Sequence, residues 1–141
     1  MRLLVFLLLL FTLAHLAVAQ TSTIALTIEG IQNTNGKIQI GLYNQKSDFG
    51  SYDKVFIGVV ATPLLNKITY TFKDIPDGTY AIATWHDTND NKKIDKNYFG
   101  IPTEKYGFSL NKYGTFGPPD FEDVSFKIGN AENVKLTIRL K

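Results

Sequence analysis

Cysteine is absent from this 141-residue chain, which excludes disulfides, a thiol nucleophile and the acylated cysteine of a bacterial lipoprotein. Stability must therefore come from an apolar core, helped at most by a bound metal. Histidine is nearly as scarce, with only His15 and His86 in the chain. Charge of either sign is thin as well: 15 Lys and Arg stand against 13 Asp and Glu, a formal +2. With no basic cluster, a nucleic-acid partner is not expected. No Asn-x-Ser/Thr glycosylation sequon occurs.

Long apolar runs are missing too, except at the start. Arg2 precedes Leu3–Phe11 and Leu13–Leu16, and Ala17-Val18-Ala19 follows before Gln20. A positive segment, a short apolar stretch and a small-residue site form a secretory leader. A membrane-spanning helix needs about 20 apolar residues, and Thr12 and His15 interrupt this run. Residues 1–19 are read as a signal peptide cleaved after Ala19, and residues 20–141 as one domain. The mature chain then carries +1, has His86 as its one histidine, and has no membrane span. A zinc site built on two or three histidines is excluded. A monomeric protein in the periplasm or outside the cell is expected.

What the mature part does have is period-two alternation, the pattern of half-buried strands. Ile24, Leu26 and Ile28 alternate with Ala25 and Thr27; Ile38, Ile40 and Leu42 alternate with Lys37, Gln39, Gly41 and Tyr43. Asn33-Thr34-Asn35-Gly36 lies between them, and Asn-Gly predicts a hairpin joining the two as an antiparallel pair. Val55–Val60 is apolar on both faces and reads as a central strand. Ile68, Tyr70 and Phe72 alternate next, then the turn Asp74–Gly78 leads into Thr79–His86. Val124–Ile128 and Val134–Leu140 close the series. About seven strands without a helical stripe predict an all-β, antiparallel immunoglobulin-like or prealbumin-like sandwich with a long aromatic-rich loop. A small barrel is the alternative.

The pattern breaks after Trp85, in His86-Asp87-Thr88-Asn89-Asp90-Asn91-Lys92-Lys93-Ile94-Asp95. Oxygen-bearing side chains recur at Asp87, Asn89 and Asn91, with Asp95 four residues on. These are positions one, three, five and nine of a calcium loop, and the Lys93 carbonyl takes position seven. Glu104 is the nearest carboxylate that can reach back as a further ligand. Lys92 stands at position six, where glycine usually makes the turn, and Tyr98 at position twelve, where a glutamate is usual. Lys92, Lys93 and Lys96 oppose a cation by like-charge repulsion. The plain reading is an Asx-rich turn whose side chains cap its own backbone. A structural calcium ion with a dissociation constant of about 10⁻⁴ to 10⁻³ M is the functional one.

From Asn97 to Phe121 the chain loses periodicity and gains rings: Tyr98, Phe99, Tyr106, Phe108, Tyr113, Phe116 and Phe121. An irregular stretch this long is often functional. Either the rings fold over one end of the sandwich as a satellite core, or they stack on a glycan or dock a cell-envelope protein. A hydrolase or carbohydrate-active enzyme would have to use Asp87, Glu104 and His86, with Asp87 and Glu104 as an acid/base pair; no spacing supports a Ser-His-Asp arrangement of His86 with Ser109.

The segments His86–Asp95, Gly100–Ser109 and Gly117-Pro118-Pro119-Asp120-Phe121-Glu122-Asp123, led in by Pro76–Ala81, together resemble domain of unknown function 2141, a family of bacterial exported proteins. The resemblance covers essentially the whole mature chain. It implies an exported β domain and carries no activity. Glycines often stand in that family where this chain has Lys92 and Lys105.

Overall fold

A computed structural model describes residues 21–141; the expected leader lies outside the described residues. Eight strands form two facing sheets. They are β1 (Ser22–Ile31), β2 (Lys37–Tyr43), β3 (Ile57–Ala61), β4 (Asn66–Ile75), β5 (Gly78–Asp87), β6 (Tyr106–Phe108), β7 (Phe126–Ile128) and β8 (Asn133–Arg139). One helical turn, α1 (Phe121–Val124), precedes β7. The first sheet runs β4-β1-β8. The second runs β3-β2-β5-β6, with β7 on the opening residues of β5. Every pairing is antiparallel except β1 with β8, which is parallel.

The alternation seen in the sequence is the alternation of burial. Ile24, Leu26 and Ile28 of β1 face Ile38, Ile40 and Leu42 of β2, with Phe72, Ile82 and Ile138 completing the layer between the sheets. Each fully buried aliphatic or aromatic side chain contributes roughly 1.5–3 kcal/mol. This layer is the main source of stability in a chain without cross-links.

Two expectations are corrected. First, β1 and β2 are not a hairpin pair. The Asn33–Gly36 turn carries the chain from one sheet to the other, and both flanks of β1 are taken by β4 and β8. Gly36 has φ +65, and a methyl group there would collide with the Asp87 carbonyl; the glycine serves this close crossing. Second, Val55–Val60 does not form a central strand. β3 is an edge strand that pairs only with β2. Its two apolar faces have separate uses: Ile57 and Val59 pack on the core, while Gly58 and Val60 line an outer cleft under Tyr52 and Val55.

A second apolar cluster lies away from the main layer. Ala81, Phe108 and Val124 are buried there beneath Phe49, Tyr106, Tyr113 and Phe121. The β2 and β5 strands are consequently covered on both faces over much of their length. That double burial gives the end of β5 a fixed base, and the Asp/Asn-rich loop springs from it.

Candidate functional site

Successive residues of a strand point to opposite faces, so His86 and Asp87, the last two residues of β5, part company. His86 is buried with Nε2 2.8 Å from the Asn35 carbonyl; a carbonyl only accepts, so that nitrogen is the donor. Asp87 is fully buried. Its Oδ1 accepts the Asn91 N–H at 3.0 Å, and its Oδ2 accepts the Lys92 N–H at 2.9 Å and the Gln39 side-chain amide at 3.1 Å. One carboxylate thus folds the loop back on itself and ties it to β2.

The loop continues as a series of Asx turns. Asn89 Oδ1 accepts the Asn91 N–H at 3.2 Å, and Asn91 Oδ1 accepts the Lys93 N–H at 2.8 Å. Asp90 and Lys92 take φ of +56 and +63, the left-handed region that favours glycine. The sharp turn therefore forms with lysine at the sixth position. The side-chain nitrogens of Asn89 and Asn91 then meet the two oxygens of Asp95, at 2.7 and 2.9 Å.

Glu104, 6 % exposed, closes the loop from the far side. Its Oε1 accepts from the Thr88 N–H at 2.7 Å and the Thr88 hydroxyl at 3.1 Å, and its Oε2 accepts from the Asp95 N–H at 3.1 Å. Backbone bonds from Thr103 N–H to the Asp95 carbonyl and from His86 N–H to the Lys105 carbonyl complete the frame. Among the described residues, no lysine or arginine pairs with Asp87, Asp95 or Glu104. Their charge is met by N–H and amide dipoles.

Six positions stood out in the sequence as metal ligands. Asn89, Asn91 and Asp95 are brought within hydrogen-bond reach of one another. Asp87 and Glu104 each tie that loop through backbone donors, Asp87 at Asn91 and Lys92 and Glu104 at Thr88 and Asp95, and the Lys93 N–H is bonded by Asn91. Among the described residues, no three Asp, Glu or His side chains gather closely enough to hold a metal by themselves. Any ion here would draw on amide and carbonyl oxygens as well. His86 and Ser109 do not form a catalytic pair. The Ser109 hydroxyl accepts from the Ile82 N–H at 2.9 Å and donates to the Val124 carbonyl at 2.5 Å, fixing α1 to β5.

The aromatic segment divides in two. Tyr106, Phe108, Tyr113 and Phe121 join the second cluster through edge-on ring contacts of about 6 Å. Burial, with the nearby Tyr106 adding to it, raises the Tyr113 phenol above its ordinary range. Tyr43, whose ring meets Phe49 at 5.3 Å, is pushed up to about 12 by burial. By contrast, Tyr98 and Phe99 are 97 % and 82 % exposed, and Ile101 is 59 % exposed. These three sit on a built turn. Asn97 Oδ1 accepts the N–H groups of Phe99 and Ile101, at 2.9 and 3.1 Å. The Asn97 carbonyl accepts the Gly100 N–H, and the Asn97 N–H bonds the Ile101 carbonyl, each at 2.9 Å. Lys96 bridges Pro102 at the base.

Asn97 and Gln39 are site residues that reading the sequence missed. An Asn three residues before Gly100, which turns at φ +77, is the signal that marks the first. Gln39 offers only a polar residue in an apolar strand. A family model described as "Uncharacterized protein conserved in bacteria (DUF2141)" matches residues 26–136, from within β1 to within β8. No curated protein and no solved structure matches.

Proposed function

The chain belongs to the DUF2141 family of uncharacterized proteins conserved in bacteria, and we propose that it is an exported, non-enzymatic β-sandwich with a structural calcium loop. Residues 1–19 direct export. Asp87, Asn89, Asn91, the Lys93 carbonyl and Asp95, with Glu104 behind them, hold the ion. The ion supplies charge neutralisation and a cross-link between the two arms of the loop. The exposed turn at 96–102, carried on those arms, is the surface that meets a partner at the cell envelope.

The observation that carries this reading is the convergence of Asn89 and Asn91 on Asp95, where each presents its amide nitrogen, so that an ion would take the place of those two N–H donors as each amide turns its oxygen inward. The loop is already wound so that its third, fifth and ninth side chains face each other, and its carboxylates have no cationic side-chain partner. With the two amides turned, the set offers the oxygens a hard cation prefers. The non-enzymatic part of the proposal is supported by the commitments of the candidate groups: His86 and Ser109 are held by backbone partners, and the oxygens of Asp87 and Glu104 accept N–H groups.

Thermal melting in chelator and in calcium tests the proposal. For a dissociation constant of about 10⁻⁴ to 10⁻³ M, ~1 mM calcium adds about 0.4–1.4 kcal/mol. In a domain of this size that is a rise of roughly 2–6 °C. Asp95→Ala is expected to abolish the rise. An identical melting curve in chelator and in excess calcium would remove the ion from the reading.

A further inference from the structure

We infer that the 96–102 turn is a wedge for an anionic lipid surface, entering the headgroup region with Tyr98, Phe99 and Ile101 while the neighbouring lysines hold the phosphates. The inference rests on the reading of this turn as the contact surface, and it does not need the calcium ion.

Three features favour it. The first is that exposure is imposed by the backbone. Asn97 satisfies the N–H groups of Phe99, Gly100 and Ile101, so the turn holds its shape while two aromatic rings and an isoleucine project outward. Large apolar side chains in so ordered a turn lose favourable free energy in water and regain it on burial. The second is the chemistry of the collar. Lys92, Lys93 and Lys96 are exposed and make no ion pair among the described residues, while Asp87 and Glu104 are buried in hydrogen bonds and Asp95 is held by two amides. In the 90–96 stretch leading to the tip, the three exposed lysines stand against exposed Asp90 and half-buried Asp95, a formal excess of one positive charge. Lysines beside interfacial aromatics are what an anionic leaflet attracts. The third is size. A specific protein–protein interface buries about 1,200–2,000 Å², far more than three side chains on a narrow turn supply. A bilayer surface accepts a small wedge without a matching shape.

The test is co-sedimentation of the leaderless domain with vesicles. One set is phosphatidylglycerol mixed equally with phosphatidylcholine, the other phosphatidylcholine alone, each in chelator and in calcium. Binding to the anionic vesicles is expected, weakened about tenfold or more by Y98S/F99S, since each ring forfeits interfacial burial. A fewfold weakening is expected for each of K93Q and K96Q, and a strong loss in high salt. These residues are exposed, so the variants are expected to melt with the parent, and a melting curve checks this. No binding to anionic vesicles at excess lipid overturns the inference. So does binding that Y98S/F99S leaves unchanged, which would mean diffuse charge attraction alone. Retained binding in chelator sustains the lipid assignment even where the calcium melting shift is absent. A calcium shift without vesicle binding sinks the lipid assignment and leaves the metal reading standing.

Discussion

Replacing Asp87 with alanine tests whether one buried carboxylate fastens the loop to the sandwich. The side chain is fully buried and accepts three hydrogen bonds. Gln39 Nε2 is also buried, and a buried donor stripped of its partner costs about 1–3 kcal/mol. The Asn91 and Lys92 N–H groups belong to exposed residues and can turn to water, so each costs about 0.5–1.5 kcal/mol. Relief of the buried charge offsets part of the sum. The expected loss is about 3 kcal/mol, or roughly 12 °C in melting temperature for a domain of this size. Urea denaturation in chelator isolates the hydrogen bonds from any ion: the midpoint should fall with an unchanged slope. Asp53→Ala, which removes an exposed carboxylate, is the control and should stay within about 0.5 kcal/mol. In a Gln39→Met background Asp87→Ala should lose less, by about 1–2 kcal/mol, because the most costly orphan is gone. A loss below about 0.5 kcal/mol in the parent, or no coupling to Gln39, would refute the reasoning.

Lys92→Gly places the residue suited to φ +63 at the sixth loop position. Relief of the left-handed penalty outweighs the added chain entropy, and a gain of about 0.5 kcal/mol is expected by urea denaturation. Calorimetric titration of the same variant should show tighter calcium binding, since a like charge leaves the loop. Tyr43 provides a pH signature. Its folded-state pKa of about 12 lies above the ordinary phenol value because burial disfavours the phenolate. Stability is thus unaffected by this group below the ordinary phenol pKa and declines as pH rises through it toward 12, where the unfolded chain ionises first. Tyr43→Phe should flatten that part of the stability–pH profile.

The faces of the strands were legible, and their neighbours were not. Alternation at Ile24, Leu26 and Ile28 states which side is apolar; it is silent on whether β1 lies beside β2 or opposite it. The Asn-Gly cue marked a real turn, but the apolar faces of β1 and β2 gain more by stacking than by pairing edge to edge. The β6 strand escaped notice because three residues with Gly107 in the middle carry no period. In the Asp/Asn loop the spacing was visible and its geometry was not. The Asx residues that put oxygens at alternate positions are also those that wind turns, and here each Asn does both, bonding backbone with its oxygen and Asp95 with its nitrogen. The aromatic segment gave its composition freely. Which rings are covered depends on Phe49 and Ala81, far off in the chain, and no local window contains that information.

The lone parallel pairing has a kinetic consequence. From Thr23 to Glu29 β1 is flanked by β8, with Thr23 bonded to Asn133 across 110 positions of chain. The middle strand of that sheet therefore has an unoccupied flank until β8, 110 positions later, has emerged. Closing so long a span is slow, so consolidation of the first layer must wait for the C-terminal strand. Clipping β8 would uncover a row of unpaired amides and carbonyls beside Ile24, Leu26 and Ile28, a ready template for joining chain to chain.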